Sequence, residues 1–193
     1  MPQLDGLRGA AFFAIAAAHW LPIFSQLTFP LGWMSMMTFY ALSGFLITGI
    51  LLRARGRELK HTLRVFYIRR ILRIFPLYYA VVLVGLLCGM PRFVDNGPWL
   101  LTYTFNMHEF AQQHWLGAVS HLWTLSVEEQ FYLAWPWVIL LLPERHLMRA
   151  LITVFCIAPV FRFSVYWLWP DAVMVGLLAP SCLDALGLSL IHI

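Results

Sequence analysis

The sequence predicts an all-α fold, a polytopic transmembrane helix bundle with six spans, and three observations carry that expectation. Apolar and aromatic residues make up 61% of the 193 residues and charged residues only 11%, far from the balance of a water-soluble domain. The apolar residues are gathered into stretches close to the ~20 residues that cross a hydrocarbon layer, where a helix satisfies each backbone group within its own segment. The nine Trp and seven Tyr lie largely near the ends of those stretches, as at Trp20, Trp33, Trp99, Trp115, Trp167 and Trp169, which is where amphipathic rings anchor at a membrane surface.

In order along the chain, the expected spans are 7–25, 31–52, 74–90, 121–142, 147–168 and 173–190, with an amphipathic piece at 61–73 ahead of the third. Between the second and third spans stand Arg53, Arg55, Arg57, Lys60, Arg64, Arg69, Arg70 and Arg73, opposed only by Glu58. The positive-inside rule makes that loop cytoplasmic. Counting from it places the amino terminus in the cytoplasm, 21–31, 91–120 and 169–172 outside, and 143–147 inside. Arg145 and Arg149 flank that last turn and agree. Segment 91–120 is the one long polar connection, and a short helix is expected in it near 98–107.

The two ends need separate readings. Arg8, the following apolar run and Ala16-Ala17-Ala18 have the outline of a cleaved leader, but the polar Asp5-Gly6-Leu7-Arg8 turn does not suit one, so 7–25 is kept as a span. Residues 188–193, Leu-Ser-Leu-Ile-His-Ile, read as the translation of a transposase adapter used in sequencing libraries. The expected division is therefore 1–187 as one membrane domain and 188–193 as an adapter-derived tail.

Ionisable residues inside spans are expensive and point to function by default. Arg8 and His19 are eleven residues apart; on one helix that is nearly three turns, so both project from one face about 16 Å apart. A neutral imidazole at that depth can take a proton from a hydroxyl and return it. The competing reading is a histidine held by a neighbouring helix. In the run from His121 to Leu133, Glu128 and Glu129 enter an otherwise apolar span. Adjacent helical residues differ by about 100°, so one acid has to turn toward a neighbouring helix or a wet cavity. His121 and Glu128 are nearly aligned, and a carboxylate here could orient an imidazole or hold a substrate hydroxyl. The alternative is a polar clamp between helices. Arg69, Arg70 and Arg73 suit a phosphate-bearing ligand, because guanidinium forks donate paired hydrogen bonds; topology alone would also place basic residues there. Arg53, Arg55 and Arg57 are assigned to orientation and lipid contact.

Other groups are given structural roles. His108-Glu109 and His114 lack the spacing that sets two imidazoles on one helical face, so no metal site is expected. Cys88, Cys156 and Cys182 have no C-x-x-C spacing and are read as packing residues. Gly44 permits close helix approach and Ser43 a bond across helices. Positive charge clustered in one juxtamembrane loop implies no nucleic-acid partner, since topology already explains it; the implied partner is the lipid bilayer.

Four ordered blocks carry a resemblance: Leu4-Asp5-Gly6-Leu7-Arg8-Gly9 with His19; Ser43-Gly44-Phe45-Leu46-Ile47; Phe66 through Arg69, Arg70, Arg73 and Ile74 to Pro76; and His121 through Trp123, Leu125, Val127, Glu128, Phe131, Tyr132 and Leu133 to Trp135-Pro136. Together they resemble the acyltransferase-3 family of membrane acyltransferases, with the similarity running from about residue 3 to Gly187. The resemblance implies about ten helical spans, of which this chain would carry the amino-terminal part. It also implies transfer of an acyl group, commonly acetyl, from acyl-CoA as cosubstrate to hydroxyls of surface carbohydrates such as lipopolysaccharide, exopolysaccharide or peptidoglycan, in a bacterial cytoplasmic membrane and with no bound cofactor. His19, Arg8 and Glu128 are the implied catalytic residues. Arg70, Arg73, Glu129, Ser126 and His121 are the implied substrate-binding ones. Thr124 stands where many relatives carry Ser. The expected chemistry has acyl-CoA at the cytoplasmic rim and the acceptor at His19, which acts either as base or as a transient acyl carrier. A transporter or exporter of anionic or acylated molecules is the competing class, and a membrane scaffold without activity is a third.

Overall fold

A computed structural model of the chain describes residues 31–187 together with Gly6, Gly9, Ala10 and Phe13. Most of the expected first span, with Arg8 and His19, and the 188–193 tail therefore lie outside the described residues.

Within residues 31–187 eight α-helices follow one another: α1 Leu31–Ala54, α2 Leu59–Leu87, α3 Pro91–Asp95, α4 Gly97–Leu101, α5 Phe105–Gln112, α6 Trp123–Leu141, α7 Glu144–Leu168 and α8 Leu183–Gly187. Three 3-10 turns, Gly117–Leu122, Val175–Leu177 and Ala179–Cys182, complete the described elements, and no strand occurs among them. By length and composition α1, α2 and α7 can cross a membrane. The most apolar stretch of α1 is 56% buried, against 17% in α2 and in α7, so α1 is interior while the other two show apolar side chains outward. Helix α6 has 19 residues but carries Glu128, Glu129 and Gln130. Its buried face, including Trp123, Val127, Glu128, Phe131, Trp135 and Ile139, packs on protein.

Local chemistry explains the breaks. Gly56 and Gly89 take positive φ values of 80° and 63°, a left-handed conformation that glycine enters without a Cβ penalty, and the chain turns there after α1 and α2. Pro91 occupies the first turn of α3, where its missing N–H costs nothing. Glu144 opens α7 and complements the helix dipole.

Three expectations are corrected. The amphipathic piece 61–73 and the span 74–90 are one 29-residue helix that runs through Pro76. At 1.5 Å per residue it is about 43 Å long, more than a hydrocarbon layer needs, which leaves its basic first turns at a rim. The polar segment 91–120 folds into three helices, with a break at 102–104 inside the helix expected at 98–107. Segment 173–187 is no span: Leu178 is extended, Pro180 starts a new turn, and the Ser181 hydroxyl donates to the Val175 carbonyl at 2.6 Å. Val175, Leu177, Cys182, Ala185 and Leu186 are buried, so protein rather than lipid covers this apolar stretch.

Arg55, in the turn after α1, donates to the carbonyls of Ile139 and, at 2.6 Å, of Leu142, and stands 4.0 Å from Glu144. The α1–α2 and α6–α7 turns thus share one end, the basic one. At the opposite end Tyr78 and Tyr79 donate to Leu100 and Leu101 at 2.8 and 3.0 Å, and Trp33 packs on Gly176. Helix α8 closes on α1 at Gly44, where an added Cβ would lie 1.9 Å from the Leu186 carbonyl oxygen. Arg162 holds α8 to α7 through Asp184 and the Ser181 carbonyl, both at 2.6 Å.

Candidate active site

Helix α6 organises the site because its polar residues point to different neighbours. Toward α1, Tyr40 donates to the Thr124 carbonyl at 3.2 Å, Ser43 to Glu128 Oε1 at 3.0 Å, and Trp135 Nε1 to Thr48 Oγ1 at 2.8 Å. These contacts occur in the same order on both helices, so α1 and α6 run parallel, with the buried Glu128 carboxylate between them. Phe131 stacks on Trp135 at 4.9 Å and closes this seam on its apolar side.

One residue on, about 100° around the helix, Glu129 faces the other way. It lines a cavity of about 550 Å³ between α2, α6 and the 102–107 segment, together with Arg70, Phe75, Tyr103, Gln130 and Tyr132. One acid thus meets a helix partner and the other a cavity whose rim includes the exposed Ile71, Met107 and Leu133. Arg70 lies with its guanidinium 4.8 Å from the Tyr132 ring centre and 5.7 Å from that of Phe66, a stacked geometry that a planar cation favours.

Arg70 also lines a second cavity, of about 360 Å³, at the basic end, with Arg53, Arg57, His61, Thr62 and Arg69. One guanidinium is thus shared by a basic pocket and a deeper one that carries four aromatic rings. Glu129, twelve residues from the end of α6, and Arg70, eleven from the start of α2, sit about 17 Å in from the basic end.

The 102–104 break shapes the deeper cavity. Tyr103 is held at φ 54°, a conformation costly for a bulky side chain, on the order of 1–3 kcal/mol. Its ring stacks on Tyr78 at 4.2 Å and on Phe75 at 5.3 Å, and its carbonyl accepts from Gln130 Nε2 at 3.0 Å. Gln130 also donates to Asn106 Oδ1 at 2.9 Å, and Asn106 donates to the Leu177 carbonyl at 3.2 Å. This buried network ties α5, α6 and the Val175–Leu177 turn together. Burial first, then Tyr78 and Glu129, raise the pKa of the Tyr103 phenol, which keeps it a hydrogen-bond donor.

Other predicted residues are placed elsewhere. Arg73 is exposed on α2 and lines neither cavity, whereas Arg69 lines the basic one. Ser126 is buried and turns its hydroxyl back toward the Leu122 carbonyl at 3.5 Å. His121 precedes α6 in a 3-10 turn with its side chain exposed. His121 is exposed, whereas Glu128 is buried against α1. His108 stacks on Trp99 at 4.9 Å, and burial lowers its pKa. Glu109 accepts from the Leu116 amide at 3.1 Å, and burial raises its pKa. Among the described residues no three His, Cys, Asp or Glu side chains gather to hold a metal ion. Tyr103, Gln130 and Asn106 escaped sequence reasoning. The signal for Gln130 was available, since it is the third consecutive polar residue in an apolar helix; Tyr103 carried none.

The chain is 31% identical over 153 residues to the peptidoglycan O-acetyltransferase OatA of Listeria monocytogenes, covering 70% of this chain and 24% of that protein. It is 32% identical over 176 residues to the O-acetyltransferase OatA of Staphylococcus aureus, covering 82% and 28%. The chain spans about a quarter of the length of these curated relatives. No solved structure matches. Residues 1–181 match the family model Acyl_transf_3, described as an acyltransferase domain, and the chain belongs to that acyltransferase family.

Proposed function

We propose that this chain is part of a membrane O-acyltransferase that moves an acyl group, acetyl in the simplest case, from acyl-CoA to a hydroxyl of a cell-surface carbohydrate. Peptidoglycan is the acceptor suggested by the name of the Listeria relative. The observation that carries the reading is Arg70, shared by a basic cavity and by the deeper cavity that holds Glu129. Phosphates of the acyl donor suit the cluster of Arg53, Arg57, Arg69 and Arg70, since guanidinium forks pair with phosphate oxygens. The thioester end then extends past Arg70 toward the deeper cavity. Arg73, exposed beside the same rim, meets the donor before it enters.

His19 accepts the proton of the acceptor hydroxyl, the oxygen attacks the thioester carbonyl, the C–S bond breaks, and the CoA thiolate leaves and is protonated. Arg8, on the same expected helix, orders the donor. Glu128, already bonded to Ser43, positions the groups that face the α1–α6 seam, and Ser126 and His121 belong to the acceptor's approach along α6. The positive-inside rule supports a cytoplasmic basic end and amino terminus, hence a cytoplasmic acyl-CoA supply and an acceptor arriving from outside, in a bacterial cytoplasmic membrane.

The test is to supply labelled acetyl-CoA and a panel of surface glycans to membranes containing the full-length protein or its His19→Ala variant. Label on a glycan that depends on His19 is the expected result. Transfer unaffected by His19→Ala would remove the central base. No transfer from an inserted, folded protein, with glycan flux in its place, would favour a transporter.

A further inference from the structure

Two polar groups on the wall of the deeper cavity have no hydrogen-bond partner among the described residues. Tyr103 is only 8% exposed, and its hydroxyl makes no hydrogen bond; Glu129 Oε1 is likewise buried and unbonded. Both residues line the same cavity. A buried donor and a buried acceptor left open side by side are unfavourable in a finished core and call for a ligand that satisfies both. Tyr103 is moreover held there at positive φ by Gln130 and by its stacked neighbours, so its placement is imposed rather than relaxed. Strained residues of this kind gather at sites that need a fixed geometry.

We propose that Tyr103 and Glu129 form the subsite for the sugar acceptor, the Glu129 carboxylate accepting from one ring hydroxyl while the Tyr103 hydroxyl donates to a neighbouring ring oxygen. The inference rests on the acyl-transfer reading and deepens it by assigning the acceptor a place. The chemistry selects a polyol over the donor. An open carboxylate oxygen repels phosphates and takes hydroxyl donors, which a pyranose supplies on adjacent carbons and a thioester lacks. The half-buried Tyr67 and Phe75 rings on the same wall offer apolar surface to the C–H side of a sugar. A volume of about 550 Å³ lies in the range of small-molecule sites. The 102–107 roof belongs to the end opposite the basic turns, so the acceptor enters from the side away from the donor cavity.

The test uses the full-length protein, with a soluble peptidoglycan disaccharide as acceptor and labelled acetyl-CoA as donor. Tyr103→Phe, which removes one oxygen, and Glu129→Gln are each expected to raise the acceptor KM roughly tenfold and to leave the acetyl-CoA KM in place. Equilibrium binding of the disaccharide to purified protein without donor is expected to weaken by the same factor. An acceptor KM unchanged in both variants would overturn the subsite, the two groups then serving a resident water only, and would leave the transfer reading intact. A raised donor KM with an unmoved acceptor KM would overturn it in favour of a donor site. Disaccharide binding that requires Tyr103, in a protein that transfers nothing to any acceptor, would sink the transfer reading while supporting the site.

Discussion

Glu128 and Glu129 are neighbours in sequence and serve different surfaces, and single substitutions should separate them. Ser43→Ala removes one donor from the buried Glu128 Oε1 and is expected to lower stability by about 1 kcal/mol, read as a fall in the unfolding midpoint in detergent micelles. An unchanged midpoint would mean that another donor replaces Ser43. Arg70→Lys keeps the charge but loses the planar stack on Tyr132 and the paired donors, so the acetyl-CoA KM should rise roughly tenfold while the fold persists. A lysine variant with wild-type donor affinity would reduce Arg70 to a point charge. At this scale the sequence was informative wherever cost was visible. Two acids in an apolar helix had to face something, and they do. It was uninformative where position depends on a turn: Tyr103 gains its place only because the chain breaks at 102–104, and Arg73 leaves the cavities to Arg69 and Arg70 because α2 is continuous through the basic block.

Between helices, small residues and capping charges set the distances. A Cβ at Gly44 would meet the Leu186 carbonyl oxygen at 1.9 Å, a backbone atom that cannot rotate aside. Gly44→Ala should therefore separate α1 from α8 and destabilise the fold by about 1–3 kcal/mol, while Gly6→Ala, whose added Cβ meets no described atom within 4 Å, serves as the control. Arg55→Ala removes two donors from the carboxyl end of α6, where cations complement the helix dipole, and should cost about 1–2 kcal/mol. Both effects can be measured by thermal unfolding of the purified protein. The close approach at Gly44 and the Ser43 bond were legible from a small residue and a hydroxyl in an apolar helix. The continuity of α2 was not, because Pro76 carries the same signal whether it opens a helix or is tolerated within one. Segment 173–190 misled for a related reason: composition reports that a stretch avoids water, and both lipid and a protein interior satisfy that.

For the whole molecule, the two ends differ in charge and in architecture. The basic end gathers the α1–α2 and α6–α7 turns, and the other end is built from α3 to α5 and the 169–182 turns. Cysteine introduced at Arg57 in a background lacking native cysteines should react with an impermeant thiol reagent only from the cytoplasmic side, and cysteine at Asp95 only from outside. Labelling of both from one side would reject the assigned topology. The all-α membrane class and the family were legible across nearly the whole chain, since apolar run length and four motif blocks survive without knowledge of packing. On the proposed reading, acyl groups enter at the basic face and leave on an acceptor beyond Arg70. The measurement that tests it most directly is label transfer from acetyl-CoA to glycan in sealed vesicles of known orientation carrying the full-length protein. Transfer should occur when acetyl-CoA is supplied at the basic face alone and should be lost in Arg70→Ala. Equal transfer with donor at the opposite face, or transfer indifferent to Arg70, would contradict the account.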